Sequence, residues 1–293
     1  MSKTVGLIGL GAIGHPLAAN LVGAGLRVLG YRRGDMSAFT ALGGEAAASP
    51  RAMAEAAEVV ITVLPDAAAV RSVMEGPDGL LAAGRQGLVI VELSTLAISD
   101  KEALRDLAAG AGAVLLDSPL SGVPSMVENR AAIIFASGEK SAWDAHEAVF
   151  RGMSDKAFFL GEFGVGTKMK FVANALVGVH ILAAAEAMAL GVKAGLDPEL
   201  MVKVLSPSAG TSLQFQVRSP LMAERRYAPV MAPHTVLAKD LKAIAAFADE
   251  IGCPSPLTHT AERFFSRALE EGRGGEDVAS VFELVRKDCG LES

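Results

Sequence analysis

The chain reads as an α/β protein, with a doubly wound parallel sheet first and then an all-α domain joined to it by one long interdomain helix. Three observations predict this. An apolar strand at residues 4–8 opens at once into a glycine-rich turn, short β-branched runs then alternate with helical stretches, and beyond Gly161 the alternation ends. At 293 residues the chain exceeds a typical single domain, so two are expected, at 1–162 and 163–293.

The first element carries the sharpest local signal. Thr4-Val-Gly-Leu-Ile8 runs into Gly9-Leu10-Gly11-Ala12-Ile13-Gly14 and then a helical stretch through Asn20. A strand, G-x-G-x-x-G and a helix, in that order, make the Rossmann-type turn that holds a dinucleotide pyrophosphate. Gly9 makes the tight turn, Gly11 lets backbone approach the phosphates, and Gly14 lets the helix pack closely on the strand. The anion meets unpaired amides and the positive end of the helix.

The next strands are expected at 27–31, 59–64, 88–92 and 113–117. Apolar without polar alternation, they suit strands buried on both faces, linked by crossover helices. Residues 131–136 are expected to close the same sheet, followed by a helix around Trp143 and a short strand near 158–160. From Thr167 to Ala194 there is no proline, and as a helix this stretch would run about 42 Å. Its apolar residues fall on every face, which predicts burial among neighbouring helices. Asn174, His180 and Glu186 interrupt it before about 18 apolar residues accumulate, which argues against a membrane span. Further helices are expected at 198–205, 212–224, 236–251, 256–271 and 278–287.

Composition narrows the function. A formal net charge of -6 and a pI near 5.5 offer nucleic acid no basic field, and 5% aromatic content offers little base stacking. With only Cys253 and Cys289, no disulfide framework is implied. The chain enters its first strand with no apolar leader, so a cytoplasmic location is expected. His15, His146, His180, His234 and His259 are scattered without ligand spacing, no metal is expected, and no G-x-S-x-G nucleophile motif occurs.

Cofactor choice rests on the end of the second strand. An NAD site places Asp or Glu about 20 residues past the glycines, to accept from the ribose hydroxyl. Here the chain has Tyr31-Arg32-Arg33. Two guanidinium groups suit a 2′-phosphate, so NADP is expected, with NAD as the alternative. Read otherwise, both arginines are solvated loop charges, and Asp35 is near enough to complicate the choice.

The chemistry is expected on the long helix. Lys170 and Asn174 stand four residues apart and share a helix face. A carbonyl being reduced needs a proton, or at least positive charge, on oxygen as hydride reaches carbon, and Lys170 can supply either. Asn174 can donate to the same substrate or hold the ammonium. A buried polar pair, or a Lys170 snorkelling to solvent, is the competing reading.

With these residues in view, the chain resembles the β-hydroxyacid dehydrogenase family, typified by 3-hydroxyisobutyrate dehydrogenase and tartronate semialdehyde reductase. The family's G-L-G-x-M-G-x-x-M-A-x-N-L is similar to residues 9–21, and D-x-P-V-S-G-G to Asp117-Ser-Pro-Leu-Ser121-Gly122-Val123. The pattern G-x-G-x-x-x-K-x-x-x-N is met from Gly164 to Asn174, and K-D-L at Lys239-Asp240-Leu241. The resemblance implies that Lys170 is the catalytic lysine and that Asn174 assists it. It implies that Ser121 and Gly122 anchor a substrate carboxylate and that Lys239 reaches the cofactor. Without the family, Lys239-Asp240 reads as an exposed ion pair. Leu64-Pro65 and Ser94-Thr95 match segments bordering the adenosine and the nicotinamide.

The departures lie in the substrate loop. Val123 stands where the family has a second glycine, and Pro124 removes a backbone donor. Met126, Val127, Asn129 and Arg130 replace positions that are commonly small, which predicts a different pocket wall. The expected function is interconversion of a short β-hydroxy acid with its semialdehyde or keto acid by an NADP-dependent homodimer or homotetramer. Reduction of imines or bulkier ketones is the alternative, though imine-reducing relatives typically lack the lysine. A non-catalytic NADP-binding module is the third reading.

Overall fold

A computed structural model describes residues 3–291. The chain divides into two compact units, Met1–Lys170 and Phe171–Ser293.

The first unit is built on six parallel strands: β1 (Thr4–Ile8), β2 (Arg27–Tyr31), β3 (Glu45–Ala46), β4 (Val59–Thr62), β5 (Val89–Glu92) and β6 (Val114–Asp117), in the order β3-β2-β1-β4-β5-β6. Successive side chains of a strand face opposite ways. Val5, Leu7, Val59, Ile61, Val89 and Val91 therefore enter one core layer, while Ile8, Val60, Ile90 and Leu115 enter the other. Both layers are covered by helices: α1 (Gly14–Gly23), α2 (Ser37–Ala41), α3 (Pro50–Ala56), α4 (Ala67–Met74) and α5 (Ile98–Gly110). Doubly wound architecture is thus the outcome of apolar runs that need cover on both sides.

The expectation that 131–136 closes this sheet is corrected. Leu120–Ser121 forms β7, which after α6 (Pro124–Glu128) pairs antiparallel with β8 (Ile133–Ala136). After α7 (Lys140–Met153), β9 (Lys156–Phe159) adds in parallel to β8, giving a separate sheet ordered β7-β8-β9. One isolated bridge, Asp117 to Ser137, is what β6 shares with that segment. The strand type was readable from sequence; the pairing was not, because the two-residue β7 carries no hydrophobic pattern.

Helix α8 (Val165–Lys193) follows. The expected boundary at 162/163 lies just ahead of it, whereas its first turn groups with the first unit. Asp117 explains this, since its buried carboxylate accepts from Thr167 N (2.8 Å) and Thr167 Oγ1 (2.7 Å). Burial of α8 on all sides is also corrected. Only 44% of its most apolar window is buried, and Val172, Leu176 and Leu190 are exposed. By length and mean hydropathy (29 residues, 1.9) it could cross a bilayer, though core helices pass the same test.

The second unit continues with α9 (Pro198–Leu205), α10 (Leu213–Glu224), α11 (His234–Glu250), α12 (Pro256–Glu270) and α13 (Val281–Asp288). The helix expected at 278–287 is instead a 3-10 turn, Val278–Ser280, leading into α13. Its polar centre is the buried pair Arg218–Asp277 (2.6 Å); Asp277 also accepts from Met231 N, Ala232 N and Ala279 N. This carboxylate pins the loop ahead of α11 to the turn ahead of α13.

His234, at the head of α11, is fully buried with Nε2 2.9 Å from Ser280 Oγ. Burial pushes its pKa down to about 4, against the pull of Glu276 and Asp277. Above about pH 6.5 the ring is neutral in both folded and unfolded chain. As pH falls from there toward 4, the unfolded chain takes a proton that the folded chain refuses, so stability drops, by up to about 3 kcal/mol. Thermal melts across this range are expected to fall more steeply for wild type than for His234→Gln. Parallel slopes would remove His234 as the cause.

Candidate active site

The glycine turn divides its work among three residues. Gly9 sits at φ +99°, and a Cβ there would lie 2.1 Å from the Val63 carbonyl oxygen. At Gly14 a Cβ would lie 1.7 Å from the Gly9 carbonyl oxygen. Both are therefore dictated by backbone approach. Gly11 differs, because a Cβ there meets nothing within 4 Å. It would stand in open space, in the groove itself. Helical bonding in α1 begins with His15 N donating to Gly11 O (2.9 Å), so the amides ahead of it are the ones a helix leaves without an intrahelical acceptor.

That groove has a volume of about 820 Å³ and is lined by Gly9, Leu10, Gly11, Tyr31, Arg32, Arg33 and Leu64, with Ala68, Ala69 and Ser72 of α4 among the other lining residues. It opens where β1, β2 and β4 end, the edge at which open α/β sheets bind ligands. The residues fit a dinucleotide. A turn with no side chain projecting from Gly11 leaves the pyrophosphate its space, and two arginines stand at the ribose end of β2. Arg32 Nη1 reaches Leu10 O at 3.4 Å, folding its side chain toward the turn. Asp35 is occupied: it accepts from Ser37 N (2.9 Å) and Ser37 Oγ (2.6 Å) at the start of α2. The hydroxyl and then the amide of Ser37 hold its carboxyl below the usual range.

Other expected cofactor residues lie outside the lining. Gly14 is buried, Ile13 packs on the core and Ala12 is exposed. Pro65 is exposed and Thr95 half-buried. Ser94 is buried and its hydroxyl accepts from Leu64 N (2.9 Å), so it ties the two loops together.

The loop after β7, expected to meet substrate, is tied into the fold by its own side chains. Arg130, at φ +57°, is pinned to Asp155 (2.7 Å) and to Gly152 O (2.9 Å). Val127 is buried and its carbonyl accepts from Asn20 Nδ2 (2.7 Å), while Asn129 donates back to Ser125 O (2.8 Å). These three departures serve packing and the loop's own turn. Val123 caps α6 with Pro124 at its first position, where a missing amide costs the helix nothing. Ser121 and Gly122 precede it, half-buried at the end of β7. A Cβ at Gly122 would lie 2.9 Å from Ala132 Cβ.

On α8, Lys170 and Asn174 are each 7% exposed. Asn174 Nδ2 donates to Asp240 Oδ2 (2.8 Å), and Asp240 is itself 4% exposed. Lys239 Nζ lies 3.1 Å from Asp240 Oδ1, with the lysine side chain 43% exposed and the aspartate side chain 5%. Asp240 was missed by sequence reasoning. An acid beside a lysine reads as a solvated pair, and only its place in K-D-L and the apolar run around it signalled more.

Three comparisons with known proteins bear on this geometry. The NAD binding domain of 6-phosphogluconate dehydrogenase matches residues 4–161, and the NAD-binding domain of NADP-dependent 3-hydroxyisobutyrate dehydrogenase matches 164–285. The L-threonate dehydrogenase of Cupriavidus necator is 34% identical over 287 residues, covering 97% of this chain and 96% of its own. The chain belongs to the β-hydroxyacid dehydrogenase family. Mouse mitochondrial 3-hydroxyisobutyrate dehydrogenase is 29% identical, covering 98% of this chain and 88% of its own. A crystal structure of 3-hydroxyisobutyrate dehydrogenase from Salmonella typhimurium has a TM-score of 0.88 at 29% identity, covering 97% of this chain and 100% of its own. This β-hydroxyacid dehydrogenase is accordingly an NAD(P)-dependent oxidoreductase of hydroxy acids.

Proposed function

We propose that the chain is an NADP-preferring enzyme that interconverts a short β-hydroxy acid and its semialdehyde or keto acid, with Lys170 as general acid in reduction and general base in oxidation. The observation that carries this is a lysine buried to 7% exposure on α8, one turn before an asparagine whose amide is oriented by Asp240. A buried ammonium is held in one place and acts in a low dielectric, where it polarises a carbonyl more strongly than in water. The nicotinamide, when bound, supplies or accepts the hydride. Lys170 gives its proton to the carbonyl oxygen in reduction and takes it from the hydroxyl in oxidation. Asn174 helps orient the substrate oxygen, and Ser121 and Gly122 hold the carboxylate by hydroxyl and backbone amide. The names of the relatives, threonate and hydroxyisobutyrate dehydrogenases, support a short hydroxy acid. The test is NADPH oxidation, and the reverse reaction, over a panel of semialdehydes, keto acids, cyclic imines and L-threonate. Turnover of imines alone would overturn the hydroxy-acid reading.

Preference for NADP is supported by Arg32 and Arg33 on the groove and by the engagement of Asp35 with Ser37. Arg32→Ala combined with Arg33→Ala is expected to weaken NADPH binding about 30- to 100-fold, the value of one or two charge-assisted bonds, and NADH binding by less than about threefold. Equal losses for both cofactors would remove the 2′-phosphate as their target.

We further infer a homodimer or homotetramer working in the cytoplasm, where the free thiols Cys253 and Cys289 stay reduced. Val172 (61%), Leu176 (53%) and Leu190 (69%) are exposed along α8, as are Leu200 (53%) and Val204 (56%) on α9, an apolar surface that a second copy would cover. Sedimentation equilibrium is expected to give a multiple of the 30.2 kDa chain mass, reduced by Leu176→Asp with Leu190→Asp. A wild-type monomer would overturn this.

A further inference from the structure

Inside the first unit, at the carboxyl ends of β5 and β6, lies a charged cluster to which the reaction assigns nothing. Glu92 and Asp117 end their strands side by side in the parallel register, and both are fully buried. Two carboxylates so placed repel each other unless a cation lies between them. Lys101, from α5 and also fully buried, joins them. Its Nζ lies 3.0 Å from Asp117 Oδ1 and 3.2 Å from the Glu92 carbonyl oxygen, and it pairs with the Glu92 carboxylate. Burial alone would lower the affinity of this amine for its proton, but the two carboxylates outweigh it and hold the ammonium charged.

The remaining oxygens of the triad grip backbone on two sides. Glu92 Oε1 accepts from Ser94 N (2.8 Å), and Ser94 Oγ in turn accepts from Leu64 N (2.9 Å), on the wall of the groove. Asp117 accepts from the amide and hydroxyl of Thr167 (2.8 and 2.7 Å). Ser137 Oγ, 3.2 Å from Asp117 Oδ2, accepts from Gly166 N (2.9 Å). One buried network thus runs from the groove wall to the first turn of α8, and Lys170 follows Thr167 by three residues. Lys101 is its middle link.

We propose that the buried link joining Glu92 to Asp117, made here by Lys101, positions the reacting groups, setting the Leu64 and Ser94 segments and the first turn of α8 in a single register so that bound cofactor and Lys170 are mutually aligned. This rests on the reading of Lys170 as the acid–base group. A displacement of about 1 Å between reacting groups can cost about 100-fold in rate, so a link between the two segments has kinetic consequences that a surface ion pair lacks. A buried pair that served stability alone would be replaceable by apolar side chains of similar volume.

Two double variants separate these roles. Both Glu92→Gln/Lys101→Met and Glu92→Leu/Lys101→Met remove the same charges. Only the first keeps an amide that can accept from Ser94 N and donate to Asp117. Positioning predicts that the amide variant keeps kcat within about fivefold of wild type. The leucine variant should lose about 10- to 100-fold in kcat, with substrate KM changed by less than about threefold. Amide hydrogen exchange at Leu64, Ser94 and Thr167 should be faster in the leucine variant than in the amide variant, with or without NADPH. Equal kcat and equal exchange in the two variants, both folded by circular dichroism, would overturn the proposal. An active wild type with indifferent variants refutes the positioning role alone, whereas a wild type inactive across the panel refutes the acid–base reading beneath it. Should the leucine variant fail to fold, Glu92→Gln alone, with Lys101 retained, is expected to keep wild-type kcat and exchange; a 10-fold loss there would refute the hydrogen-bonded link as the positioning element.

Discussion

Lys170→Ala is expected to lower kcat by about 1,000-fold while leaving NADPH binding within about twofold of wild type. General acid–base catalysis contributes about 10²- to 10⁴-fold, and a thousandfold loss corresponds to about 4 kcal/mol of transition-state stabilisation. The side chain is 7% exposed, so removing it removes a fixed charge rather than a solvated one. Lys170→Arg sharpens the test. A guanidinium keeps the positive charge but holds its proton far above neutral pH, and its planar fork does not occupy the place of an ammonium. If proton transfer is the role of Lys170, the arginine variant stays within about tenfold of the alanine variant. If Lys170→Ala retains more than about a tenth of wild-type kcat, the lysine is not the acid–base group. NADPH fluorescence titration and a thermal melt on the same samples keep a folding defect from being mistaken for a chemical one.

Gly11→Val and Gly14→Ala are expected to fail in opposite ways. At Gly14 the added Cβ would lie 1.7 Å from the Gly9 carbonyl oxygen, and both partners are backbone in the tightest part of the turn. The strand and helix must separate, which lowers the unfolding free energy by about 1–3 kcal/mol and spoils the cofactor turn with it. At Gly11 an added Cβ meets nothing within 4 Å, so valine is expected to be tolerated in the free enzyme, with stability changing by less than about 0.5 kcal/mol. In the proposed site that room is left for the pyrophosphate. Gly11→Val should bind NADPH about 100-fold or more weakly, so the rise in melting temperature that NADPH gives wild type is lost. A Gly11→Val protein that melts like wild type with and without NADPH would place the pyrophosphate elsewhere.

The parts of this site that depend on local conformation were legible from the amino acids alone. Gly9 needs φ +99° and Gly14 a close backbone contact, and both requirements select glycine at a fixed spacing. Lys170 and Asn174 share a helix face because helical geometry brings residues four apart together. The departures at residues 123–130 were visible, but composition does not say that Arg130 would turn to Asp155 and Val127 into the core. The bond that Leu64 N donates to Ser94 Oγ left no trace in the sequence.

By itself the amino-acid order determined the parallel α/β unit, the helical segments after it, the dinucleotide turn and the lysine–asparagine pair. Each follows from hydrophobic period or from backbone geometry within a few residues. Tertiary structure alone decided that β8 leaves the main sheet, that Asp240 orients Asn174 across 66 positions, and that Asp117 holds Thr167 across 50. Such pairs leave no local trace. A buried carboxylate takes whichever donors the packed chain brings within about 3 Å, and that distance exists only once the chain has folded.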